Sequence, residues 1–202
     1  MLLPACNGLF DELYDDPIVE TDKNGFIRID SVNNSGTIYI DATSYLRWVY
    51  IDLHNKRIDT TDVYSDLSPE SWDIAVHRYD AKTNGAGVLE TNFTSFADLL
   101  AGGELPEGDF ESDKTGEIPV DMSDMINNNI VYHTTEVNHQ LSRWLDVNIS
   151  VMPPIYTLSK KVYIVSLNDG TYAALLLSNF MNSSLVKGFM TIDYIYPLKF
   201  EQ

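Results

Sequence analysis

KVYIVSLNDGTYAALLL, residues 161–177, sets two runs of β-branched, aromatic and aliphatic residues on either side of an Asp-Gly pair. Such a pair between apolar runs is the strongest short-range hairpin signal, because its residues tolerate the positive φ that a tight turn needs. The flanking residues pack well on a pleated surface, so the stretch predicts a β-hairpin. Working outward, GFMTIDYIYPL (188–198) reads as a further strand that closes the chain. Upstream, NNSG (33–36) is a turn signal, and TIYIDATSYLRWVYIDL (37–53) reads as strand, turn, strand. SWDIAVHRYDAKTN (71–84) alternates, with Trp72, Ile74 and Val76 on one face and Asp73, Ala75, His77 and Tyr79 on the other. NGAG (84–87) ends it.

Two regions depart from this pattern. DLLAGGELPEGDFESDKTGE (98–117) is rich in Gly, Pro and acidic residues and predicts a loop. Between 121 and 146 the period changes: Val137, Leu141, Trp144 and Leu145 fall at i, i+4, i+7 and i+8, one face of an amphipathic helix. Met122, Met125, Ile126 and Ile130 prolong a weaker stripe, and Pro153 and Pro154 prevent helix beyond it. The expected fold is mainly β, all-β or α+β, with a helical or loop insert around residues 120–146.

With 202 residues, 44% of them apolar, the chain can build one sizeable core. Its formal charge of −17, with only 13 Lys and Arg, argues against nucleic acid and anionic lipid as partners. Cys6 is the single cysteine, which excludes an intrachain disulfide and any multi-Cys metal site. LLPAC (2–6) resembles the end of a bacterial lipoprotein signal, in which the Cys becomes the lipidated first residue of the mature protein. Pro4 is unusual in that motif. The acidic NGLFDELYDDP (7–17) reads as a tether. Residues 1–35 are thus expected to be signal remnant, tether and a short strand, and residues 36–202 a single domain. No apolar run approaches the ~18 residues needed to span a bilayer, so a membrane would be met only through a lipid anchor at Cys6.

Motifs of catalysis are missing: there is no GxSxG elbow, no HExxH and no phosphate-cradling Gly-rich loop. The expectation is a protein that is not an enzyme. His54 falls in a turn, and His77 reads as a hydrogen-bonded structural histidine. His133 and His139 stand six apart, so they do not share one helix face. Three of the six methionines, Met122, Met125 and Met152, sit in polar, turn-prone surroundings. By spacing alone they read as adaptable core filler. The other reading is ligation, since a thioether is a neutral, soft donor suited to copper(I) or haem iron.

WDIAVHRYD (72–80), DATSYLRWVYIDL (41–53), PPIYTLSKKVYIVSLNDG (153–170) and KGFMTIDYIYPL (187–198) closely resemble, in order, the HmuY family of Bacteroidetes haem-binding lipoproteins. The resemblance implies a mostly β fold whose long loops grip one haem. It implies a hemophore-like role at the outer membrane or cell surface: taking haem, with host haemoproteins as one source, and passing it to an outer-membrane receptor. The founding member uses two axial histidines, and this sequence departs from it. Ile149 stands where one imidazole is expected, and VDMSDMINNN (120–129) covers the region of the other. Relatives that use two methionines are the better match, which implies Met125 and Met152 as axial ligands, with Met122, His133 and His139 as alternatives. Tyr132, Trp144 and Tyr156 are expected near the porphyrin, and Lys160 or Arg143 near its propionates. Loss of both histidines favours one alternative, a surface β-domain lipoprotein that binds a glycan or a partner protein without haem.

Overall fold

In the computed structural model, which describes residues 24–151 and 153–200, the 161–177 stretch is a hairpin. In chain order the strands are β1 (Gly25–Asp30), β2 (Ser35–Asp41), β3 (Arg47–Asp52), β4 (Arg57–Asp62), β5 (Ile74–His77), β6 (Asp80–Thr83) and β7 (Gly87–Glu90). Helix α1 (Phe96–Ala101) leads to β8 (Lys114–Asp124), a 3-10 turn at Met125–Asn127 and β9 (Asn129–Val137). One helical turn, α2 (His139–Ser142), precedes β10 (Leu145–Asn148) and β11 (Ile155–Leu158). The last strands are β12 (Tyr163–Ser166), β13 (Tyr172–Met181) and β14 (Lys187–Ile195).

The hairpin β12–β13 closes through residues 168–170, with Gly170 at φ +82° and its N–H donating to the Leu167 carbonyl. This is the three-residue loop that ends in a left-handed glycine. Around it grows a six-stranded sheet in the order β1-β2-β14-β13-β12-β7. The short strand expected before residue 35 is β1, hydrogen-bonded along β2 as the sheet edge. A second, four-stranded sheet runs β4-β3-β5-β6. The expected strand–turn–strand at 37–53 is present, but its halves, β2 and β3, enter different sheets. Ile38 and Ile40 of one sheet thereby meet Val49, Ile51, Ile74 and Val76 of the other in the main core. Burying each such side chain contributes about 1.5–3 kcal/mol.

Both outer faces are covered as well. Leu99 of α1 packs on Leu89, Ile164, Ala174 and Ile195 behind the six-stranded sheet. Ser95 caps α1, its hydroxyl accepting from the Asp98 N–H. Ile118, Val120 and Val137 of the β8–β9 hairpin pack on Trp48, Tyr50 and Ala75 behind the four-stranded sheet.

Two expectations are corrected. The 71–84 stretch is not one strand but the hairpin β5–β6, in which His77 pairs with Asp80. Its two-residue turn puts Arg78 at φ +55°, a conformation where glycine or asparagine ordinarily stands. The insert around 120–146 is chiefly the β8–β9 hairpin, and only His139–Ser142 is α-helical. The Val137–Leu145 stripe is real in the sense that Val137, Leu141, Trp144 and Leu145 are all buried. Residues before it are recruited by the sheet behind them, with Asn128 taking a left-handed φ of +58° at the hairpin tip.

Candidate functional site

A cleft of about 1160 Å³ opens at one end of the molecule. That exceeds the ~300–1,000 Å³ typical of drug-sized ligand sites. One wall is the β8–β9 hairpin, contributing Pro119, Val120, Met122, Met125, Ile130 and Tyr132. The facing wall is the β10–β11 hairpin, contributing Val147, Ile149, Pro154 and Tyr156. The floor comes from Tyr45 and Leu46 between β2 and β3, and from Tyr79 and Asp80 at the β5–β6 turn. Tyr64, after β4, stands at the side. Val131, Tyr132 and Ile149 leave about half their surface in solvent at the rim, as apolar groups do around a binding groove.

The expected site residues divide accordingly. Met122 and Met125 are half-buried and line the cleft, as do Tyr132 and Tyr156. Met152 and Cys6 lie outside the described residues. The positions on either side of Met152, Ile149 and Pro154, do line the cleft. His133 is not in the lining; its ring meets Tyr64 edge-on at 5.0 Å between centroids. His139 is exposed at the start of α2, with its Cε1 beside Gly116.

Trp144 is a correction. It is fully buried in the main core and its Nε1–H donates to the Tyr79 carbonyl at 3.1 Å, so it supports the floor from below. Its place on the apolar stripe was legible; the direction of that stripe, into the core, was not. Arg143 and Lys160 are corrected too. Arg143 pairs with Glu90 at 3.2 Å beside an adjoining cleft of about 510 Å³ that shares Tyr79, Asp80 and Val147 with the large one, and Lys160 is exposed and lines neither cleft. His77 has the structural role expected of it: buried, with Nε2 donating to the Tyr45 carbonyl at 2.8 Å. His54 is exposed in its turn.

Sequence reasoning missed Tyr45 and Tyr79, although both fall in quoted motifs. Burial pushes the Tyr79 hydroxyl up to about 12, and its hydrogen bond to Tyr156 adds to this. Burial likewise raises Tyr45, with the Arg78 guanidinium opposing. At neutral pH both are therefore neutral donors. No cluster of three or more His, Cys, Asp or Glu suited to a bare metal ion exists among the described residues. What the arrangement can hold is a large, mostly apolar molecule between two hairpins, with thioethers at one wall and phenol hydroxyls at the floor.

The sequence model of the HmuY protein family matches residues 44–194. No curated protein matches the chain. Among solved structures, a proposed HmuY-like haem-binding protein of Bacteroides vulgatus is 55% identical, with a TM-score of 0.82 over 88% of this chain and 100% of that one. A proposed lipoprotein of Bacteroides fragilis is 46% identical, with a TM-score of 0.84 over 89% and 99%. The HmuY analogue of Tannerella forsythia in its apo form is 27% identical, with a TM-score of 0.69 over 84% and 100%.

Proposed function

The chain belongs to the HmuY family, and we propose that it is a binding protein, not an enzyme, that holds one haem in the large cleft. The observation that carries this reading is the pairing of two hairpins across about 1160 Å³, one bearing Met122 and Met125 and the other bearing Ile149 and Pro154 on either side of Met152. Met125 and Met152 are the proposed axial ligands, with Met122 the alternative on the first hairpin. His133 and His139 are the remaining alternatives, although neither lines the cleft. Tyr132 and Tyr156, which line the cleft, are the aromatic residues proposed to pack against the porphyrin. The binding unit is residues 36–202, with β1 added along its edge. Through Cys6 we propose lipidation and placement at the outer membrane surface, from which haem passes to an outer-membrane receptor, with host haemoproteins as a source.

A thioether carries no proton to lose, so affinity in a bis-methionine site is flat across neutral pH. Imidazole ligation instead weakens as pH falls through about 6.5. A thioether also favours ferrous over ferric iron, which raises the reduction potential relative to a bis-histidine site.

The test is a haemin titration of the purified chain under oxidising and reducing conditions. Sharp low-spin bands are expected, and Met125→Ala and Met152→Ala should each shift them. Unchanged spectra in both variants, together with a shift in His133→Ala or His139→Ala, would overturn methionine ligation. Absence of low-spin bands in both redox states would remove the haem reading altogether.

A further inference from the structure

The WDIAVHRYD stretch is the most specific part of the family resemblance, yet methionine ligation leaves it without a task. Its Arg78 is buried, with Nη1 donating to the Thr43 carbonyl at 2.6 Å and Nη2 to the Tyr79 hydroxyl at 2.8 Å. The rings of Tyr45 and Tyr79 lie 4.4 and 5.0 Å from its Cζ. Its Nε is buried without a hydrogen-bond partner. No ion pair joins Arg78 to a carboxylate among the described residues. Burying a cation without a counter-charge is costly, and this chain has 30 Asp and Glu with which to avoid it.

Hydrogen-bond directions follow from that cation. A guanidinium only donates, so the Tyr79 oxygen accepts from Arg78 and the Tyr79 hydrogen is free to be given onward. The Tyr156 hydroxyl lies 2.9 Å away and can accept it. Tyr156 then has its own hydrogen to present, and both tyrosines line the large cleft. Each bond in such a chain polarises the next. Lys187, half-buried and also without an ion pair among the described residues, holds its ammonium 4.0 Å from the Tyr156 ring centroid. Two carboxylates line the same cleft. Asp121 accepts from the Ser123 N–H at 2.8 Å, and Asp80 holds Oδ2 4.0 Å from His77 Nδ1, beyond hydrogen-bond distance, on the opposite side of Tyr79 in sequence from Arg78.

We propose that Tyr156, polarised through Tyr79 by Arg78 and flanked by Lys187, is the carboxylate-reading point of the cleft. It takes one acidic side group of an otherwise flat, apolar ligand. This rests on the haem reading and assigns one propionate to the Tyr156 side of the floor.

The experiment titrates the full chain with haemin and, in the same mild detergent, with haemin dimethyl ester, which lacks both negative charges. Wild type should bind the acid about tenfold more tightly than the ester, the worth of one hydrogen bond to a charged group. Tyr156→Phe keeps the ring that stacks on Phe180 and should bring that ratio to within about twofold of unity. Lys187→Gln, which leaves the Tyr156 hydroxyl in place, should reduce the ratio in part. A ratio near ten in both variants overturns the assignment while leaving the haem reading intact. Failure of wild type to bind either porphyrin removes both.

Discussion

At the scale of single residues, Trp144 and Tyr79 show how the core and the site share parts. Trp144 fills the main core and donates to the Tyr79 carbonyl. Trp144→Ala should therefore cost about 3–5 kcal/mol in a urea titration, as expected for a large buried aromatic. A loss below about 1 kcal/mol would instead place the indole at the surface. Tyr79 and Tyr163 are both pushed up to about 12, chiefly by burial, against about 10 in an unfolded chain. Between those values the folded protein keeps protons that the unfolded chain has released, so stability falls as pH rises. Melting temperature should hold steady up to pH ~9 and decline from ~10 to ~12. Tyr79→Phe should make that decline shallower, and an equally steep decline in the variant would remove Tyr79 as a contributor.

At the scale of elements, the turns decide more than the strands do. Gly170 sits at φ +82° with nothing within 4 Å of where a Cβ would stand. Gly170→Ala should thus cost about 1–2 kcal/mol from backbone conformation alone. Gly170→Asn should recover part of that in thermal melts, since asparagine tolerates this region. The same contrast explains what was legible in the sequence. The 161–177 hairpin announced itself because its turn residues and its strand residues agree. The β5–β6 turn did not, because Arg78 and Tyr79 carry no turn signature. Their conformation is held by tertiary partners, the Thr43 carbonyl and the Tyr45 ring, 35 and 33 residues away in sequence. The β8–β9 hairpin was hidden by a stripe of methionine and isoleucine that mimics a helical period. The sheet behind it, through Trp48 and Tyr50, overrode that local preference. For the site, methionine chemistry and the aromatic Tyr132 and Tyr156 were readable. The tyrosine floor was not, since only the antiparallel pairing of β3 with β5 brings Tyr45, just before β3, and Tyr79, just after β5, to one place.

At the scale of the whole molecule, a net charge of −17 repels itself more strongly in the compact state than in the expanded one. Raising ionic strength from about 0.01 to 0.15 M shortens the screening length from about 30 to 8 Å. The melting temperature should then rise by about 2–4 °C, equivalent to ~1 kcal/mol for a chain of this size. A fall with added salt would mean that attractive pairs such as Lys161–Glu90 outweigh the repulsion.

The cleft is also framed unequally. Its floor is continuous with the packed sheets, whereas each wall is a two-stranded hairpin. Such ribbons are marginal by themselves, and at the β8–β9 tip Ile126 is 89% exposed, with none of the described residues covering it. Amide hydrogens in β10 and β11 should accordingly exchange with solvent by local fluctuation, while those of β12 and β13 wait for global unfolding. Only the outer ends of the walls can part without disturbing the fold, since Ile118, Val120 and Val137 of one and Leu145 of the other are held in core clusters. A captive molecule's residence time should then follow the opening rate of those two hairpin ends, a faster process than global unfolding.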